Sequence, residues 1–280
     1  MDRAAIERAT RTVRAGALDL PVFVAGDGPP VLLLHGFPDS RHVWRHQLGA
    51  LAAAGYRVVA PDLRGFGEAP KPPEVAAYAM RELLADCTGL LDALDIGAAR
   101  VIGHDWGASL AWSLAQYFPA RVERLAVLSV GHGGSRGWQT IMQREKSWYF
   151  LFFQFAGIAE AELMHDDWRL MREWAASHPD CARVIADLSR PGALTAGLNW
   201  YRANVAPRMP APPRAPVKVA CPVLGLWSEG DCFLTEAQMA DSGDCVSGDW
   251  RYVRIDGASH WLQIDRPERV NAELLAFLRP

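Results

Sequence analysis

Short, unbroken apolar runs alternate with longer amphipathic stretches along most of this 280-residue chain. Val31 to Leu34 is one such run, ended by His35-Gly36, and Arg57 to Ala60 repeats the pattern before Pro61-Asp62, with a helix-like stretch between them. Runs without polar alternation predict strands buried on both faces of a parallel sheet. From Met80 to Leu94, the residues Leu83, Leu84, Cys87, Leu90, Leu91 and Leu94 recur at three- and four-residue spacings, which predicts one buried helical face. Arg100 to Ile102 reads as a strand, Trp106 to Tyr117 as a helix and Leu125 to Val130 as a strand. The resulting order β, α, β, α, β, α, β predicts a mostly parallel sheet with helices on both faces.

The rhythm breaks after Val130. Gly131 to Gly137 is a glycine-rich exit, and Trp138 to Val205 is helical in pattern, crowded with aromatics and free of any convincing strand. Pro207, Pro210, Pro212, Pro213 and Pro216 then predict a stiff connector that no helix interior tolerates. Strand patterns resume at Pro222 to Trp227 and Arg251 to Ile255, followed by a helix from Pro267 to Leu278. The expected organisation is one α/β core, residues 1–131 and 217–280, interrupted by a helical cap, residues 132–216.

Composition narrows the classes of function. The chain is 50% hydrophobic and 22% charged, with 29 Lys plus Arg against 32 Asp plus Glu, a net charge of −3. Disorder is excluded by that apolar content, and no basic field exists for nucleic acid. Five cysteines, odd in number and never spaced C-x-x-C, suggest neither a disulfide framework nor a zinc knuckle. Met1 to Arg14 has no apolar leader core, and the apolar stretch Trp148 to Phe155 is about half the length of a membrane span. A soluble, cytoplasmic protein is expected, with monomer and homodimer both open.

Chemistry concentrates where strands end. Gly103-His104-Asp105-Trp106-Gly107 joins a strand to a helix in the form G-x-nucleophile-x-G, with glycines that permit a sharp turn and a central side chain thrust outward at a helix N-terminus. An ordinary N-cap aspartate is the bland alternative. His35-Gly36-Phe37-Pro38 follows the strand Val31 to Leu34. Asp231 and His260 each follow a later strand. The chain order nucleophile, acid, histidine is that of the α/β-hydrolase fold and of neither other major serine-hydrolase arrangement. Glu229 is a second carboxylate in the acid loop, although the spacing from the strand favours Asp231.

The sequence resembles α/β-hydrolases of the epoxide hydrolase family over nearly its whole length. His35-Gly36-Phe37-Pro38 is similar to the family's HGFP loop, whose proline follows a cis bond, although X-Pro bonds in general are mostly trans. Asp62 to Gly67 is similar to its D-x-[RK]-G-[FY]-G turn, Gly103 to Gly107 to its GHDWG elbow, and Gly257 to Trp261 to its G-x-x-H-W histidine loop. In the cap, Trp148-Tyr149-Phe150 with Phe153-Gln154 resembles the segment of the first lid tyrosine, which maps to Tyr149. Asn199-Trp200-Tyr201-Arg202 matches the NWYR signature of the second, which maps to Tyr201.

The resemblance implies that Asp105 attacks an epoxide carbon, that Tyr149 and Tyr201 hold and protonate the departing oxygen, and that His260, oriented by Asp231, activates water against the ester. Backbone amides of Phe37 and Trp106 would form the oxyanion hole. Residue chemistry agrees, since a carboxylate that displaces at saturated carbon leaves a hydrolysable ester whereas a serine ether would be a dead end. Phenols also stay protonated at neutral pH. Phe37, Trp106, Trp148, Phe153, Trp200 and Trp261 are the expected apolar contacts of a small epoxide. Water is the only cosubstrate, and no cofactor or metal is implied. His104 and His35 are expected to be structural hydrogen-bonders. A haloalkane dehalogenase with the same nucleophile is the nearest rival, but Phe37 stands where many such enzymes carry asparagine. A fluoroacetate-type dehalogenase lacks its arginines here, an esterase would be left with an anhydride, and a silent ligand-binding homologue would not need the intact triad.

Overall fold

A computed structural model describes residues 1–205, 207 and 217–279. These residues form one eight-stranded sheet: β1 (Thr10–Ala15), β2 (Leu18–Ala25), β3 (Pro30–Leu34), β4 (Arg57–Pro61), β5 (Ala99–His104), β6 (Val122–Leu128), β7 (Val223–Gly230) and β8 (Trp250–Ser259). The spatial order is β1-β2-β4-β3-β5-β6-β7-β8. From β4 to β8 every neighbour is parallel, while β1 pairs antiparallel with β2 and β2 with β4. The hairpin β1–β2 escapes the sequence reading because β1 is an outer strand whose Arg11 and Arg14 face solvent and which buries little beyond Val13 and Ala15. Its alternating pattern carries a fraction of the signal of a central strand.

The central strands behave as their composition dictates. Val31, Leu32, Leu33 and Leu34 of β3 are fully buried, as are Val101 and Ile102 of β5. The helix Met80–Ala93 buries Leu83, Leu84, Cys87, Leu90 and Leu91, the face its spacing predicts. β6 ends at Leu128, short of the expected Val130, because Ser129 takes φ +68° and turns the chain off the sheet.

Between β6 and β7 the described residues are helical: Ile141–Lys146, Trp148–Phe152, Ile158–Trp174, Cys181–Leu188 and Ala193–Asn204. The long one is broken at His165 to Trp168, where Asp166, Asp167 and Trp168 take positive φ. Side chains tie this insertion to the sheet's loops. The Trp200 indole donates to the Arg64 carbonyl (3.0 Å), Asn204 Nδ2 to the Tyr78 carbonyl (2.9 Å) and Arg183 to Asp39 (3.0 Å). Pro210, Pro212, Pro213 and Pro216 of the expected connector lie outside the described residues, as does the boundary at 216. Among the described residues no helix is long and apolar enough to cross a membrane.

Candidate active site

The turn between β5 and the helix Trp106–Tyr117 holds Asp105 at φ +53°, ψ −123°, a conformation costly for any residue with a Cβ and characteristic of functional turns. Its neighbours must be small. A Cβ on Gly107 would collide with the Leu34 and His35 carbonyls, and one on Gly36 would collide with the Asp105 carboxylate itself. These two glycines let the elbow and the loop after β3 meet. Asp105 Oδ1 accepts the Phe37 amide at 2.8 Å. The Trp106 amide lies at the first position of its helix, where a backbone N–H has no intrahelical acceptor. Phe37-Pro38 is cis.

β7 and β8 deliver the other two groups. His260 Nδ1 lies 2.8 Å from Asp231 Oδ2, and Asp231 Oδ1 accepts the amides of Phe233 and Leu234, both at 2.9 Å. Glu229 faces solvent instead, paired with Arg254 at 2.9 Å and accepting the Gly257 amide. His260 Nε2 stands 3.7 Å from Asp105 Oδ2, beyond direct hydrogen bonding. Burial disfavours the imidazolium, but Asp231 and Asp105 together outweigh it and push His260 up to about 10. The His260 carbonyl accepts from Ser129 Oγ (2.8 Å) and His104 Nε2 (3.0 Å). Burial, reinforced by the neighbouring His260, lowers His104 to about 4, so it serves as a neutral donor. His35 holds its own loop, accepting the Leu63 amide at Nε2.

Tyr149 and Tyr201 come from separate helices of the insertion, yet their ring centroids are 5.9 Å apart and both line one cavity of about 390 Å³ with Asp105 and Trp106. Burial and the Asp105 charge raise both phenols well above their ordinary value. Five of the expected catalytic side chains thus converge. The expected apolar contacts divide. Trp106 lines the cavity. Phe37 and Phe153 form a buried layer behind Tyr201, with centroids 5.6 and 5.0 Å from its ring. Trp200 and Trp261 turn their indole N–H inward, to Arg64 and Asp39, and do not line the cavity. Trp148 is 51% exposed and faces an outer groove. Neighbours on a helix point about 100° apart, which is why Trp200 faces away when Tyr201 faces in. Val130, Gly133 and Trp138 from the exit of β6, with Phe150 and Leu234, take their places. Position could have revealed the first three, because ligands in such sheets sit beyond the carboxyl ends of the strands.

Sequence reading also missed Asp39. This fully buried carboxylate accepts Trp261 Nε1 at 2.9 Å, His178 Nε2 at 3.1 Å and Arg183 Nη2 at 3.0 Å. It joins the loop after β3, the loop after β8 and the insertion. Burial pushes its pKa up, but His178 and Arg183 overcome that and hold it well below the usual carboxylate range.

Known proteins resemble this chain in sequence and fold. The family model described as alpha/beta hydrolase fold matches residues 29–267. Epoxide hydrolase A of Mycobacterium tuberculosis is 36% identical, covering 96% of both chains. Human epoxide hydrolase 4 is 35% identical over 90% of this chain and 72% of its own. The crystal structure of epoxide hydrolase A from Mycobacterium thermoresistibile superposes with a TM-score of 0.82 at 33% identity, covering 96% of this chain and 98% of that one. The chain belongs to the α/β-hydrolase fold family and, within it, to the epoxide hydrolases.

Proposed function

We propose that this chain hydrolyses small apolar epoxides to vicinal diols through an ester on Asp105. The observation that carries the reading is a carboxylate nucleophile and two high-pKa phenols on one cavity of about 390 Å³. Asp105 Oδ1 rests on the Phe37 amide, leaving Oδ2 to attack the epoxide carbon from the side opposite the breaking C–O bond. The alkoxide that forms takes a proton from Tyr149 or Tyr201, both of which remain protonated at neutral pH. A halide needs no proton, so phenols at the leaving-group position favour the epoxide over the haloalkane.

The second half depends on charge. With Asp105 ionised, His260 is held protonated by two carboxylates. Esterification removes one of those charges, so the His260 pKa falls and a water between Nε2 and the ester carbon can be deprotonated. The 3.7 Å gap suits that step better than a direct bond would. The tetrahedral oxyanion then falls on the Phe37 and Trp106 amides, and as it collapses the departing diol oxygen takes the proton that His260 drew from water, while the proton left on the new Asp105 carboxyl passes through solvent to restore the tyrosine. In this reading residues 132–216 are the cap that carries both tyrosines, and residues 1–131 and 217–280 the core. Free thiols at all five cysteines support a reducing, cytoplasmic setting.

Single turnover in oxygen-18 water tests the covalent step. The first diol is expected to be unlabelled, with the label in Asp105. Label in the first-turnover diol would overturn the ester route, and halide release without diol formation would favour the dehalogenase.

A further inference from the structure

Between Val101 and Leu110 every residue is buried except Asp105 and Ser109, and both line the cavity of about 390 Å³. Asp105 precedes the helix Trp106–Tyr117 and Ser109 lies four positions on, so the two share a face and are separated by about 6 Å of helical rise. The Ser109 hydroxyl is uncommitted. A hydroxyl inside a helix commonly turns back to the carbonyl four residues earlier, as Ser113 does to Ser109 at 2.9 Å and Thr88 to Leu84 at 3.1 Å. The Asp105 carbonyl instead receives the Ala108 and Ser109 amides, at 2.9 and 3.1 Å, and the Ser109 hydroxyl has no hydrogen-bond partner among the described residues.

The other polar side chains of the wall, the nucleophile and the two phenols aside, are spent. Asn204 Nδ2 donates to the Tyr78 and Trp200 carbonyls while its Oδ1 accepts the Met80 amide. The Trp138 indole donates to the His132 carbonyl at 3.0 Å, and the Trp106 indole to the Tyr201 hydroxyl. Met80, Val130, Phe150, Val205 and Leu234 make the remainder of the lining apolar. A single free hydroxyl in such a wall fixes where a bound molecule can place a polar atom, because an oxygen set anywhere else would lose water and gain no partner.

We infer that Ser109 is a specificity-determining residue whose hydroxyl donates to an ether, carbonyl or hydroxyl oxygen on the substituent of the epoxide. The substrate class is an epoxide whose otherwise apolar chain carries that oxygen about four or five bonds from the attacked carbon, the span that matches the ~6 Å rise from Asp105 to Ser109. This inference rests on the reading of the cavity as an epoxide site.

Steady-state kinetics with three probes of equal chain length test it: 1,2-epoxy-5-methoxypentane, its hydrocarbon counterpart 1,2-epoxyheptane, and propyl glycidyl ether, whose oxygen sits too close to the ring to reach Ser109. From wild type to Ser109→Ala, the kcat/KM ratio of the methoxy compound to the hydrocarbon is expected to fall about tenfold, as loss of one donor to a buried oxygen does. The glycidyl ether's ratio is expected to move less than about twofold, and Ser109→Thr, which keeps the hydroxyl, to retain the wild-type ratio for the methoxy compound. A purely structural role would lower turnover of all three probes together and leave the ratios fixed, which overturns the inference. Equal falls for the two ethers overturn it as well. Wild type that hydrolyses none of the three overturns the epoxide reading itself, whereas wild type that hydrolyses all three with ratios indifferent to Ser109→Ala overturns this inference alone.

Discussion

At the scale of single residues the proposed reaction rests on where protons sit. Tyr149 and Tyr201 are kept as acids by burial and by the charge of Asp105. Replacing either with Phe removes one hydroxyl at little packing cost and is expected to slow alkylation by about 10²-fold, as loss of one preorganised donor does elsewhere. Rapid-quench detection of the alkyl-enzyme reads that rate directly. His260 obeys a different rule. Its folded pKa is raised, so its contribution to stability is complete below about pH 6.5 and is lost as pH rises through about 10. In the proposed mechanism hydrolysis needs the neutral ring and alkylation does not. Lowering the pH is therefore expected to increase the fraction of ester trapped in a single turnover, and His260→Gln to trap it at every pH, both seen as a mass gain on the peptide bearing Asp105. These residue types were legible because the motif order is unusual and short. The lining was not, because a one-residue step on a helix turns a side chain from the cavity into the core, as Trp200 and Tyr201 illustrate.

Elements matter through the loops they aim. The parallel strands end on one edge of the sheet, so β3, β5, β7 and β8 present Phe37, Asp105, Asp231 and His260 together although the chain separates them widely. Asp39 ties the loop after β3 to the loop after β8 and to the insertion. Asp39→Asn keeps the volume but removes a buried charge opposite Arg183 and His178, and is expected to cost about 3 kcal/mol in denaturant unfolding. Because the Asp39 pKa is depressed in the folded state, its stabilisation is present above about pH 4 and fades as pH falls toward the folded value. The stability gap between wild type and Asp39→Asn should accordingly narrow in acid. A gap that is flat from neutral to strongly acidic pH would show that the charge is not what matters. No local pattern marks Asp39, since its partners lie at Trp261, His178 and Arg183 and are brought to it only by folding.

On the scale of the whole molecule, the insertion completes the cavity that the loops of the sheet begin. Tyr149 and Tyr201, from two of its helices, meet Asp105 on one cavity. The sequence alone shows that the segment is helical and aromatic, but not which aromatics face inward. By itself the chain's periodicity determined the parallel core, the position of the insertion and the chemistry of the strand-end motifs. Those features arise from local spacing and from residue types that only one kind of turn accepts. The tertiary structure decided which carboxylate, Asp231 or Glu229, meets His260, which aromatic rings line the cavity and which stand behind it, and that an edge hairpin precedes β3. Each of these is a distance between residues far apart in the chain, and only the packed fold determines it.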